Sequence, residues 1–184
     1  IENIVSGQAN DVITGDGGDN VLTDVGGTDI FDGGLGNDTY VFLPNWGNGD
    51  VVTGAGGIDW MDFSNISDNL VFDLTNTGIA VSYGSNSVTS AGYIVENLVA
   101  GSGADQFNIT GNAVVNLFGN GGNDSFNFNG SGSLNGNLDG GTGTNTMNYA
   151  GYGSPVTYNL QTGAINAFTG SKTNIQAFIG SAFS

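Results

Sequence analysis

The sequence predicts an all-β chain in which short parallel strands stack into a solenoid, and three observations predict it. Glycine and asparagine are abundant, with 34 glycines among 184 residues, yet 38% of the residues are hydrophobic. That is too apolar for a disordered linker, and Gly, Asn, Thr and Val favour turns and strands over helices. Second, a nine-residue phase runs through the N-terminal part of the chain. Third, a longer period overlies it. A chain of this length fits one domain, or two short ones of the same kind, and can bury a core.

The nine-residue phase comes first because repeats decide architecture. SGQANDVIT (6–14), GDGGDNVLT (15–23), DVGGTDIFD (24–32) and GGLGNDTYV (33–41) align without gaps. Their sixth position reads Asp11, Asn20, Asp29 and Asp38, and their eighth reads Ile13, Leu22, Phe31 and Tyr40. Looser copies follow at Asp50 with Val52 and at Asp59 with Met61. AGSGADQFN (100–108), GNGGNDSFN (119–127) and GGTGTNTMN (140–148) echo the pattern. They place Asp105, Asp124 and Asn145 two residues before Phe107, Phe126 and Met147.

The longer period aligns WMDFSNISDNLVFDL (60–74) with TMNYAGYGSPVTYNL (146–160) at a constant offset of 86. IENIVSG (1–7), VENLVAG (95–101) and IQAFIGS (175–181) also align. The chain therefore divides into two diverged units, 1–94 and 95–174, with the start of a third at 175–184. A restart of the N-terminal motif, and an opening at Ile1 rather than Met, suit a window on a longer array.

Each nonapeptide supplies a strand of three or four residues with one inward side chain: Val12 out, Ile13 in, Thr14 out. Such a strand is not stable alone. Parallel stacking puts Ile13, Phe31 and Val52 on one ladder and Leu22, Tyr40 and Met61 on another, with two nonapeptides per circuit. The glycines allow positive φ in the turns. Asp11, Asp29 and Asp50 then recur on one flank, and Asn20, Asp38 and Asp59 on the other. Carboxylates roughly 5 Å apart repel unless a cation lies among them. Carbonyl and carboxylate oxygens without nitrogen or sulfur make a hard-oxygen site, which suits calcium better than magnesium.

Composition narrows the function classes. There are 17 acidic residues, 15 of them Asp, against the single Lys172, for a net charge of −16. That balance repels nucleic acid and anionic membrane. With no His and no Cys there is no Ser–His triad, no thiol nucleophile, no disulfide and no ordinary zinc or copper site. No apolar run approaches the roughly 18 residues of a membrane span. The glycine turns lack the Lys or Arg and the following helix of a phosphate-binding loop. Glycosidase-type paired carboxylates are formally compatible with an Asp-rich β chain. Polysaccharide-cleaving enzymes on such folds, however, need the basic groups this chain lacks.

GGLGNDTYV matches every defined position of the GGxGxDxUx repeat of RTX-type, hemolysin-type calcium-binding proteins, and the chain resembles that family over about residues 6–62. The resemblance implies a right-handed parallel β-roll, grading into a wider parallel β-helix beyond. It further implies calcium held between turns two repeats apart by glycine-turn carbonyls, here those of Gly33, Gly34 and Gly36, and by the position-six side chains. The implied pairs are Asp11 with Asp29, Asn20 with Asp38, Asp29 with Asp50, and Asp38 with Asp59. Ser6 and Ala9 replace glycines, Asn20 replaces an aspartate, and Asn145 removes a carboxylate from the second half. For Asp105 and Asp124, ligation and plain turn capping both stay open. Asp16, Asp24, Asp68 and Asp139 read as solvated turn residues.

LVFDL (70–74), IAVSY (79–83) and VTYNL (156–160) read as longer strands of the wider β-helix. Asn108, Asn116, Asn127, Asn137 and Asn148 are placed to stack as amide ladders. Trp46, Trp60 and the other aromatics read as core before they read as a carbohydrate platform. The function expected is a non-catalytic, calcium-stabilised module of a long secreted surface, adhesive or filament-forming protein. It is exported unfolded and ordered by extracellular calcium. The alternative is the secretion and folding tail of an exported enzyme. End-to-end stacking of the 1–10 edge on the 175–184 edge of another copy is a third arrangement.

Overall fold

The computed structural model describes residues 2–54 and 56–183. Ile1 and Ser184, at the tips of the two expected stacking edges, and Ala55 lie outside the described residues. Among the described residues all regular elements are strands. In the first half they are β1 (Asn3–Val5), β2 (Val12–Thr14), β3 (Val21–Asp24), β4 (Ile30–Asp32), β5 (Thr39–Phe42), β6 (Asn48–Thr53), β7 (Trp60–Asp62), β8 (Val71–Thr75), β9 (Gly78–Tyr83) and β10 (Asn86–Ala91). In the second half they are β11 (Asn97–Val99), β12 (Gln106–Ile109), β13 (Asn112–Ala113), β14 (Asn116–Phe118), β15 (Ser125–Phe128), β16 (Ser133–Asn135), β17 (Leu138–Asp139), β18 (Thr146–Asn148), β19 (Phe168–Thr169), β20 (Lys172–Thr173) and β21 (Ala177–Ile179).

From β1 to β7 successive strands alternate between two mostly parallel sheets, which later strands extend. One has the order β1-β3-β5-β7-β11-β14-β17-β20, the other β2-β4-β6-β10-β9-β8-β12-β15-β18-β21, and β13-β16-β19 form a small third. The expected ladders are in register: Ile13 beside Phe31 beside Val52, and Leu22 beside Tyr40 beside Met61. β7 pairs with β11 and β8 with β12, so both sheets run on across residues 94 and 95.

In-register parallel pairing places equivalent inward side chains one strand spacing apart, about 4.8 Å. Flat rings therefore stack along the interior. Phe72–Phe107, Phe107–Phe126 and Phe128–Tyr149 have ring centroids 4.4, 4.7 and 4.4 Å apart. Trp46 is buried against Phe42 and Phe63, which makes it core. Trp60 faces outward, half-buried, with its ring on Phe118. The last inward position of the first sheet, beside Leu138, is Lys172. Its stem covers the end of the core while its ammonium donates to the Gly163 carbonyl and lies over the Tyr158 and Phe168 rings.

Outside the core the amide ladders form. Asn148 Nδ2 donates to Asn127 Oδ1, Asn127 Nδ2 to Asn108 Oδ1, and Asn108 Nδ2 to Asp73 Oδ1. Asn116 joins Asn97 in the other sheet, and Asn137 accepts from Ser171.

Two segments differ from expectation. Residues 79–83 do not extend a parallel layer. β9 is antiparallel to both β8 and β10, joined to them by the two-residue links Asn76-Thr77 and Gly84-Ser85. Gly84 takes φ +58°, the conformation a tight hairpin requires. Residues 156–160 form no strand, only a single antiparallel bridge from Tyr158 to Ile165. Pro155 lacks the N–H that would open such a strand, and Asn159 Oδ1 accepts from the N–H groups of Gln161 and Thr162, folding the chain into a turn. Leu160 is consequently 87% exposed, whereas Leu74, its counterpart at the 86-residue offset, is fully buried.

Candidate metal centre

Each strand begins at a corner where the glycine turn hands over to the sheet, and the position-six side chain sits there. Along a sheet, the backbone N–H of one such residue donates to the side chain of its counterpart in the next layer. Asp11 N–H reaches Asp29 Oδ1 at 2.9 Å and Asp29 N–H reaches Asp50 Oδ1 at 2.7 Å. On the other sheet Asn20 N–H reaches Asp38 Oδ1 at 2.9 Å, Asp38 N–H reaches Asp59 Oδ1 at 2.7 Å, and Asp59 N–H reaches Glu96 Oε2 at 2.7 Å. Further along, Asp105 N–H donates to Asp124 Oδ1, Asp124 N–H to Asn145 Oδ1, and Asn145 N–H to Gln176 Oε1. The carboxylates thus stand one above another, as the sequence period requires.

These bonds engage Oδ1 of Asp29, Asp38, Asp50, Asp59 and Asp124; Asp105 Oδ1 accepts instead from Leu70 N–H, and Asp11, first in its ladder, contributes only its N–H. The second oxygen separates the residues into two groups. Asp11 Oδ2 accepts the Gly7 N–H and Asp105 Oδ2 the Gly101 N–H, so neither is left without a donor. In Asp29, Asp38, Asp50 and Asp124 the second oxygen is buried without any hydrogen-bond partner. A buried carboxylate oxygen without a donor is costly, and more so with no basic group nearby. Burial pushes the carboxyl of Asp105 up to about 6 and that of Asp124 up to about 7. Asp50 is pushed up to about 7 as well, by burial first and then by Asp24 and Asp29. Asp38 and Asp59 are raised chiefly by burial.

The glycine turns lie directly on one another. A Cβ added at Gly33 would strike the Asp38 carboxylate and the Tyr40 hydroxyl, and one at Gly34 would strike the Asp16 carbonyl. One at Gly36 would run into Gly18. Gly34 and Gly36 also have φ of +87° and +109°, open only to glycine at little cost.

Asn145 shows what such a niche accommodates. Over the Cα of Gly119 stand Asp124 Oδ2 and the Gly140 carbonyl oxygen; over the Cα of Gly140, one layer on, stand Asn145 Nδ2 and the Asn174 carbonyl oxygen. The Asn145 amide donates to Gly140 O at 2.7 Å and to Asn174 O at 3.1 Å. A donor thus satisfies converging carbonyls in one layer, while in the layer before an unpartnered carboxylate oxygen occupies the same place. The donor set of carbonyl and carboxylate oxygens fits a hard cation there.

One expectation is corrected. Asp24 is not a solvated turn residue: it is 1% exposed, with its second oxygen also unpartnered. It follows Leu22 by two residues in β3 and pairs in register with Phe42, so it faces the interior. Asp24, Asp29 and Asp50 each offer a ligand oxygen within 4.8 Å of the others. Asp16 and Asp68 are exposed, and Asp139 caps its turn by accepting from Gly141. Glu96 and Gln176 also act as corner acceptors, although neither belongs to a nonapeptide. Their sequence signal lies in the IENIV, VENLV and IQAFI alignment, where each stands two residues before an apolar strand residue.

No family model matches this sequence, and no curated protein matches it.

Proposed function

We propose that this chain is a non-catalytic, calcium-stabilised structural module of a long extracellular surface, adhesive or filament-forming protein. Its layers wind as a right-handed parallel β-roll over residues 6–62 and grade into a wider β-helix, as in the RTX-type proteins it resembles. The observation that carries the reading is the shared niche of Asp124 and Asn145: in the later layer an amide fills it and donates to the carbonyls there, whereas in the layer before, Asp124 Oδ2 stands buried beside the Gly140 carbonyl with no hydrogen-bond partner.

Asp29, Asp38, Asp50 and Asp124 would hold the ions, with neighbouring turn carbonyls completing the shell. Asp11, Asn20, Asp59 and Asp105 support them by locking adjacent layers. A bound calcium ion supplies the positive charge that the carboxylates lack. The chain's own residues supply the rest: the N–H ladder fixes each carboxylate, and the stacked turns exclude water. An ion bound only by the folded state at 100 times its dissociation constant stabilises it by about 2.7 kcal/mol. Several such ions suffice to make folding conditional on calcium, which fits export unfolded and ordering outside the cell.

Circular dichroism of the chain in millimolar calcium and in excess chelator tests this. The β signal over at least residues 6–62 is expected to collapse in chelator and return with calcium. A spectrum and melting temperature unchanged by chelation would overturn it.

A further inference from the structure

The position that Asp24 fills is glycine in the repeats on either side, Gly15 and Gly33, and an added Cβ at either of those would strike the position-six side chain of its own repeat. The third repeat therefore introduces a carboxylate where its neighbours have no side chain. β3 carries it inward at the corner from which Asp29 and Asp50 also project. Each of the three has one oxygen engaged: Asp24 Oδ1 accepts from Gly26 N–H at 2.8 Å, Asp29 Oδ1 from Asp11 N–H at 2.9 Å, and Asp50 Oδ1 from Asp29 N–H at 2.7 Å. The remaining oxygens of all three are buried without partners, in residues no more than 1% exposed. The one basic side chain of the whole sequence, Lys172, is committed to the Gly163 carbonyl at the far end of the stack. Three carboxylates this close in a water-poor interior are untenable as bare anions. A proton shared by two of them relieves one charge and leaves the third facing the pair, whereas one divalent cation answers all three oxygens.

We propose that Asp24, Asp29 and Asp50 together hold one oxygen-preferring divalent cation, with Asp24 as a third carboxylate ligand that the nonapeptide pattern does not supply. The inference rests on the calcium reading of the corners and adds a ligand to one of them. Its consequence is charge selectivity. A corner with two carboxylates is neutralised by a divalent ion, but this one keeps a net negative charge and gains further from a trivalent ion such as terbium.

Two variants test it. Asp24→Asn keeps the size and the acceptor for Gly26 N–H and removes only the charge. Asp24→Gly restores the residue found at Gly15 and Gly33. Bound calcium per chain is measured by equilibrium dialysis, terbium competition by luminescence, and melting temperature in calcium and in chelator. Both variants are expected to bind one calcium fewer than the parent, or one at least tenfold more weakly, and to lose the site at which terbium competes best. In chelator Asp24→Asn is expected to melt no lower than the parent, because a buried like charge is gone; a merely structural role would lower melting in both solutions. Unchanged stoichiometry and affinity in the variants would overturn the proposal and leave the calcium reading of the other corners standing. So would equal losses of stability in calcium and chelator, or failure of both variants to fold in either. A parent chain that binds no calcium at all would overturn both readings.

Discussion

The side-chain nitrogen of Asn145 stands 2.7 Å from the carbonyl oxygen of Gly140, in the niche that Asp124 Oδ2 fills one layer earlier. An amide there makes the layer self-sufficient. Asn145→Asp should therefore convert it to a cation-dependent one. In chelator we expect a loss on the order of 3 kcal/mol, because a donor is removed and a buried charge added. In millimolar calcium most of that loss should return, with one more ion bound. Denaturant titrations in the two solutions check this; equal losses in both would sink it.

Asp38 and Asp11 occupy the same repeat position but differ in their second oxygen, unpartnered in Asp38 and hydrogen-bonded to Gly7 in Asp11. Asp38→Asn should cost the calcium-loaded protein about 2.7 kcal/mol, the contribution of one ion at 100 times its dissociation constant. Asp11→Asn should cost under about 1 kcal/mol. Isothermal titration should show the lost ion for Asp38→Asn alone. The reverse ranking would mean that unpartnered oxygens do not mark the ligands.

Acid should stabilise the calcium-free protein. Asp50, Asp105 and Asp124 have carboxyls raised to about 7, 6 and 7, against about 3.9 in an unfolded chain. The folded state then binds more protons than the unfolded one. Their stabilising effect is complete below about pH 4 and is lost as pH rises through 6 to 7. Relief of self-repulsion at a net charge of −16 acts in the same direction. Melting of metal-stripped protein should rise from pH 8 to pH 5, and the calcium-induced increment should shrink over the same range as protons compete for the ligands. A melting temperature that falls on acidification of the stripped protein would contradict the burial of these groups.

Phe107 lies between Phe72 and Phe126 in the interior stack, with no exposed surface. Phe107→Ala should cost about 3–5 kcal/mol. Because the ring stacks on Phe72 and Phe126 along the interior, the cost should be the same with and without calcium. A cost confined to the calcium-loaded state would show that core and corners do not contribute separately.

Much of this was legible in the sequence because two periods coincide. Ile13, Phe31 and Val52 are spaced so that every inward residue meets its like, and the position-six residues inherit that register. The asparagine ladders are legible for the same reason. What escaped depends on events that a repeat does not encode. Asp24 reads as a turn residue until the β3–β5 pairing is seen to run one residue further, to Phe42, which turns it inward. The hairpins around β9 hinge on two-residue links, Asn76-Thr77 and Gly84-Ser85, whose polar and glycine residues resemble those of the parallel turns. Residues 156–160 alternate like a strand, but Pro155 and Asn159 settle the backbone before alternation can act.

The antiparallel detour has a geometric consequence. Between the β5–β6 and β11–β12 layers the first sheet holds only β7, whereas the second holds β10, β9 and β8. Two extra strand widths, about 10 Å, are thus inserted along one wall and not along the other. The detour acts as a wedge that tilts the stacking axis away from the longer wall. The second unit carries no such insertion, since β12, β15, β18 and β21 follow one another directly in that sheet; an array alternating the two units would bend at each first unit and run straight through each second, its reach set by how many wedges it carries.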